Sequence, residues 1–243
     1  MSIFKEYEDS FERDVDILLR EHDINFSRLM TEYAYDVAMI DEDLSFMSES
    51  EGEQTEKKPS GFIEFIRKAV DYIVKLISDF LEMIGNFFNT KEHITTSDYL
   101  GSETGKLQLE YDMERVQKEV DAQMLEGRKL VQLISKGTHI PAEKIAAFSD
   151  KCARVCKDHG KVIVGTAAAL AISKGMRSHM KKTKNSAQEI GKDAEKCAGD
   201  AEKETAMRKI FNAVDKMISE YVNASSIVSR NIQKEAKKNR KNK

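Results

Sequence analysis

Residues Gly61–Phe88 read GFIEFIRKAVDYIVKLISDFLEMIGNFF, and this stretch decides the fold. Large apolar side chains crowd it, from Phe62, Ile63, Phe65 and Ile66 through Ile73, Leu76, Ile77 and Phe80 to Ile84, Phe87 and Phe88. The polar residues Glu64, Lys68, Asp71, Lys75, Asp79, Glu82 and Asn86 recur every three or four positions. That period is helical, and it confines the polar groups to a narrow stripe. Roughly two-thirds of the circumference is apolar and needs cover. The neighbouring segments are more polar and read as that cover.

Composition points the same way. The chain has only 2 prolines, no Trp and 12 glycines in 243 residues. Proline breaks helices by removing a hydrogen bond, so its scarcity suits long ones. Apolar residues at 40% exceed what a disordered chain carries. The fold class expected is all-α: an elongated multi-helix bundle with a long N-terminal helical arm. Three cysteines, an odd number, argue against a disulfide framework and for a reducing compartment. The opening MSIFKEYEDS lacks the apolar core of a secretory signal, and no uncharged apolar run reaches about 18 residues. The location expected is therefore cytoplasmic, without secretion by a signal peptide.

The chain divides into 1–47, an acidic N-terminal helix; 48–60, a flexible linker; and 61–243, a helical bundle with a basic tail. Residues 1–58 hold 17 acidic against 6 basic side chains, a net of −11, which leaves +8 for the remainder of a chain at −3. Such a split implies internal docking or separate partners. Along the first helix the apolar stripe runs Phe4, Tyr7, Phe11, Val15, Leu18, His22, Phe26, Leu29, Tyr33, Val37, Ile40, Leu44. Steps of 3, 4 and 4 make an 11-residue repeat, whose seam stays nearly straight. A helix with one apolar seam must pair with something. Phe4, Phe11, Leu18, Phe26, Leu29, Tyr33, Val37 and Ile40 are read as an assembly seam, gripping a protein partner or a second copy in an oligomer. His22, the one polar member, is a histidine at the seam's edge or a pH-sensitive contact.

Further on, a third helix is expected from Glu103–Lys106 to Lys136, stopped by Gly137, with Pro141 in the first turn of a fourth. Val162–Ile172, VIVGTAAALAI, is uncharged and reads as a buried helix against Gly61–Phe88, or as a hairpin tip that enters lipid. A last helix is expected to open at Ser186, where Ser186 and Glu189 form a capping-box pattern.

No catalytic constellation and no cofactor motif emerges. Cys152, Cys156 and His159 share one helical face, and Cys197 could complete a soft-metal site; but the spacing is CxxxC, and small residues on a buried face explain it more simply, so no metal is assigned. Gly160–Thr166 lacks the lysine of a phosphate loop. The basic cluster Lys174, Arg177, Lys181, Lys182 and Lys184 is a candidate contact for nucleic-acid phosphate or anionic lipid. Without interleaved aromatics it is not a base-stacking surface. The alternative is a solvated face that docks the acidic arm.

The acidic leading helix, the linker SESEGEQTEKKPS, the helix FIEFIRKAVDYIVKLI and the tail KEAKKNRKNK together resemble helical virion-internal or scaffold-type structural proteins of tailed phages. The resemblance is one of style along the whole chain. It implies a non-enzymatic structural or assembly role in contact with a capsid. The alternative is a membrane-active helical protein that inserts its apolar helix and the 162–172 hairpin into lipid.

Overall fold

A computed structural model describes residues 3–46, 61–88, 106–157 and 160–241. The expected linker at 48–60 and His159 lie outside the described residues. Six α-helices and one short ribbon are described: α1 (Ile3–Phe46), α2 (Gly61–Phe88), β1 (Lys106–Leu109), α3 (Met113–Ser135), α4 (Ala142–Arg154), β2 (Val162–Gly165), α5 (Thr166–Ala194) and α6 (Ala201–Lys241). The described residues are all-α apart from that ribbon.

The apolar face of α2 is buried as its period requires: Phe62, Phe65, Ile66, Ala69, Ile73, Leu76, Ile77, Phe80 and Ile84 are all sealed. Its cover is α1, α5 and α6. Close approach to α5 depends on Gly191, because a Cβ built there would overlap Val70 Cγ2. Valine has little rotamer freedom on a helix with which to yield. Gly191→Ala should therefore destabilise the fold by about 1–3 kcal/mol, the usual cost of overpacking. Urea denaturation followed by circular dichroism measures this, and adding Val70→Ala should recover part of the loss.

α3 and α5 run parallel in constant register. Lys182 donates to Asp121 at 2.7 Å, Arg128 to Glu189 at 2.5 Å and Gln132 to Asp193 at 2.9 Å, each pair 61 residues apart. α4 packs on α6 and α3. Gly137 ends α3 with φ +84°, its N–H donating to Ile134 O at 2.9 Å. The stop read from the sequence is thus the left-handed glycine cap. Pro141 directly precedes α4.

Three expectations are corrected. The third helix does not begin at 103–106: Lys106–Leu109 is a strand, with Leu107 and Leu109 buried and their neighbours exposed, and α3 is N-capped by Asp112. Nor is Val162–Ile172 one helical segment. Val162–Gly165 pairs antiparallel with β1, Leu107 opposite Val164 and Leu109 opposite Val162, and α5 starts at Thr166. Both errors have one cause: four residues are too few to distinguish a period of 2 from one of 3.6, and the partner strands are far apart in the chain. Finally, no helix opens at Ser186. α5 passes through it, and Glu189 is occupied by Arg128 rather than by a cap. The break falls at Gly199, with φ +90°, followed by Asp200, whose Oδ1 accepts from Lys203 N at 3.2 Å as the cap of α6.

Candidate functional site at the polar seam of the last helix

α6 is the most enclosed helix and carries an unusual buried stripe. Asp215, Tyr221, Ser225, Ser226 and Ser229 are sealed among Ile210, Val214, Ile218, Val222 and Val228. A buried polar group is costly unless bonded. Ser229 donates to Ser225 O one turn back at 2.7 Å. Asp215 and Tyr221 reach other helices.

α1 lies antiparallel along α6 on three polar rungs. Arg230 pairs with Glu12, His22 Nε2 lies 2.5 Å from Asp215 Oδ1, and Tyr33 Oη donates to Glu204 Oε2 at 2.6 Å. His22 and Asp215 are both buried. Burial pushes the Asp215 carboxyl above the usual carboxylate range, the bond to His22 opposes this, and Asp23 and Lys216 act in opposite senses. Burial and Glu204 also hold the Tyr33 phenol neutral. The other oxygen of Glu204 accepts from Gly199 N at 2.9 Å, so this rung ties α1 to the turn that opens α6. Beside it Tyr33 stacks on Phe65 of α2 with ring centroids 4.3 Å apart.

On another side of α6, Tyr221 Oη lies 2.9 Å from His179 Nδ1 of α5, with the two rings edge to face. His179 Nε2 is 3.2 Å from Asp121 Oδ1, off the line of a well-formed hydrogen bond, since the nitrogen counts as unsatisfied. Burial raises the Tyr221 pKa, and bonds with Gln117 and Ser225 pull it back. A neutral Tyr221 that donates to Nδ1 leaves the imidazole proton on Nε2, facing Asp121; this tautomer is assigned from the network. Burial, the largest cause, lowers the His179 pKa, and Lys182 adds to this, against Asp121 and the Gln117 backbone.

With a folded pKa below its ordinary 6.5, His179 binds fewer protons in the folded chain than in the unfolded one. Its contribution is complete above about pH 6.5 and is lost as pH falls through the depressed value. Urea midpoints of the wild type should therefore fall on acidification below that point more steeply than those of His179→Gln. Equal slopes would remove His179 as the cause.

The middle of the expected seam is already occupied within the chain. Phe11, Phe26, Leu29 and Tyr33 are buried and Leu18 half-buried, packed within the chain's own core with α2 and α6 as the helices beside α1. This corrects the reading of these residues as a free grip for a partner. A narrow apolar seam is satisfied by whichever apolar face is nearest, and α2 follows in the same chain. The side chains of Phe4, Val37 and Ile40 lie outside the described residues.

The basic cluster is also divided. Lys174, Arg177 and Lys181 are exposed on α5. Lys182 is held by Asp121, and Lys184 donates to Ser78 Oγ of α2 at 2.9 Å. Among the described residues the acidic arm reaches a basic residue through the Glu12–Arg230 pair on α6, outside this cluster. Cys152 and Cys156 are buried, and burial pushes each thiol up to about 12, so both stay protonated. Among the described residues no three His, Cys, Asp or Glu side chains converge as metal ligands. A cavity of about 370 Å³ lies between the end of β1, the end of α4 and α6, lined by Glu110, Tyr111, Cys156, Lys157, Glu220 and Ile227. Its one buried nucleophile is the neutral Cys156 thiol.

Sequence reasoning missed Asp215, Glu204, His179 and Tyr221. A signal existed for the first: Asp215 is a lone acid within the apolar stripe of FNAVDKMISEYV, as His22 is a lone imidazole in its own stripe. Two such intruders of complementary chemistry are candidates for one another. No helix among the described residues is long and apolar enough to cross a membrane. The architecture is that of a helical bundle whose buried ionisable groups fasten helix to helix. Comparison with protein-family models, curated proteins and solved structures gives no match.

Proposed function

We propose that the chain is a non-enzymatic helical structural protein that works by protein–protein assembly. The observation that carries this reading is the use made of its buried ionisable groups. His22, Asp215, His179, Tyr221 and Tyr33 each spend a polar atom on another helix. Catalytic groups converge on a space where substrate can sit; these bridge interfaces instead. The reading fits a virion-internal or scaffold role of the kind the sequence resembles, in a cytoplasmic or virion-associated setting.

Light scattering on the intact chain over a range of concentrations, with vesicle flotation alongside, tests it. The expected result is a mass above the 27.6 kDa of one chain that grows with concentration, and no flotation on anionic or neutral vesicles. A monomer that floats would replace this reading with the membrane-active one. A monomer that does not float would end the self-assembly reading.

A further inference from the structure

Three exposed acids on α1, Asp14, Glu21 and Glu32, stand 7 and 11 residues apart. Three exposed lysines on α5, Lys174, Lys181 and Lys192, stand 7 and 11 residues apart in the same order. A step of 7 falls about 20° short of two helical turns, and a step of 11 runs about 20° past three. Each triplet therefore falls on a nearly straight line about 27 Å long at 1.5 Å per residue, with Arg28 also on the acidic one, between Glu21 and Glu32. α1 and α5 each pack on α2, and neither line is turned into that contact, since all six side chains are exposed.

Beside the acids runs a second line at the same spacing: Ile17, Ile24 and Tyr35, exposed at 53%, 66% and 66%. Half of the exposed large hydrophobics among the described residues thus fall on one edge of one helix. With the acids and lysines facing in a parallel pair, that edge meets the side of α5 bearing Ala171 and Ser178, both small and exposed. Nearby Gly175 has open space where a side chain would stand.

We infer that the outward face of α1 docks in parallel on the outward face of α5 of a second copy, Asp14 on Lys174, Glu21 on Lys181 and Glu32 on Lys192. The inference rests on the assembly reading and names its interface. Glu32 is held by Arg28 at 2.6 Å in the single chain. Both partners are exposed, so that pair is weak and exchange is easy. The two faces differ, so the contact is heterologous. Two copies joined this way leave one face of each kind unfilled, and the product is a ring or an open filament. Exposed ion pairs are screened by salt, so the association weakens as salt rises.

Sedimentation velocity of the full chain tests this with charge-swap variants. D14K/E21K/E32K and K174E/K181E/K192E should each weaken association about 10- to 100-fold, the effect of three modest pairs lost. Mixed together, the two variants should associate again, because each then meets only opposite charge. Circular dichroism should show both folded, all six positions being exposed. Wild-type association that neither swap weakens, or swaps that do not rescue one another, would overturn this interface and leave the assembly reading standing. A wild-type chain that stays single at every concentration and at low salt would overturn both.

Discussion

Asp215→Ala should lower the unfolding free energy by about 3–5 kcal/mol, the cost of removing one member of a buried charged or hydrogen-bonded pair. The side chain is sealed inside the bundle with His22, its Oδ1 2.5 Å from the ring nitrogen. Truncation leaves His22 buried with its nitrogen unsatisfied and a small void beside it. The loss falls on the α1–α6 contact, because His22 is the middle of the three rungs. Replacing both members by leucine should recover most of the stability, since apolar substitution of a whole buried pair is often neutral or better. Circular dichroism during urea denaturation is the suitable signal, as the chain has no Trp. A change below about 1 kcal/mol for Asp215→Ala, within the range of exposed substitutions, would mean that the pair does not hold α1.

Deleting residues 1–59 should abolish cooperative unfolding. The deletion removes Phe11, Val15, Phe26, Leu29 and Tyr33 from the same buried cluster that holds α2 and α6. Each large apolar side chain contributes about 1.5–3 kcal/mol by its burial. Together they are comparable to the whole net stability of a domain, about 5–15 kcal/mol. The truncated chain would also expose Phe62 and Phe65, the aromatic surface on which Tyr33 rests. Dye binding, broad melting and aggregation are the expected signs. A chain starting at Ser60 that melts sharply at the wild-type temperature would show α1 to be an appendage.

The two results bear on how the chain should be divided. Charge and linker composition mark off 1–47 as an arm, yet Phe11, Val15, Phe26, Leu29 and Tyr33 of its seam are core residues of the bundle. Acidity describes the outside of α1, and its described inside is apolar but for His22. An assembly surface on α1 therefore has to be its outward face, where Ile17, Ile24 and Tyr35 stand among the charges.

Local pattern alone determined that this chain is helical, where α1 and α2 lie, which face of each turns inward, and that Gly137 ends a helix. These are local matters: a stripe of apolar side chains, a glycine at a left-handed turn and the near absence of proline act within a few residues of themselves. Only the tertiary structure decided that α1 is clasped by its own chain, that Lys106–Leu109 and Val162–Gly165 are paired strands, and that Asp215, Tyr221 and two histidines meet along α6. α6 hid its central position because much of its buried surface is serine, alanine and aspartate, which read as solvent-facing. What makes Asp215 interior is a partner on another helix, His22, 193 residues away, and a period cannot carry that information.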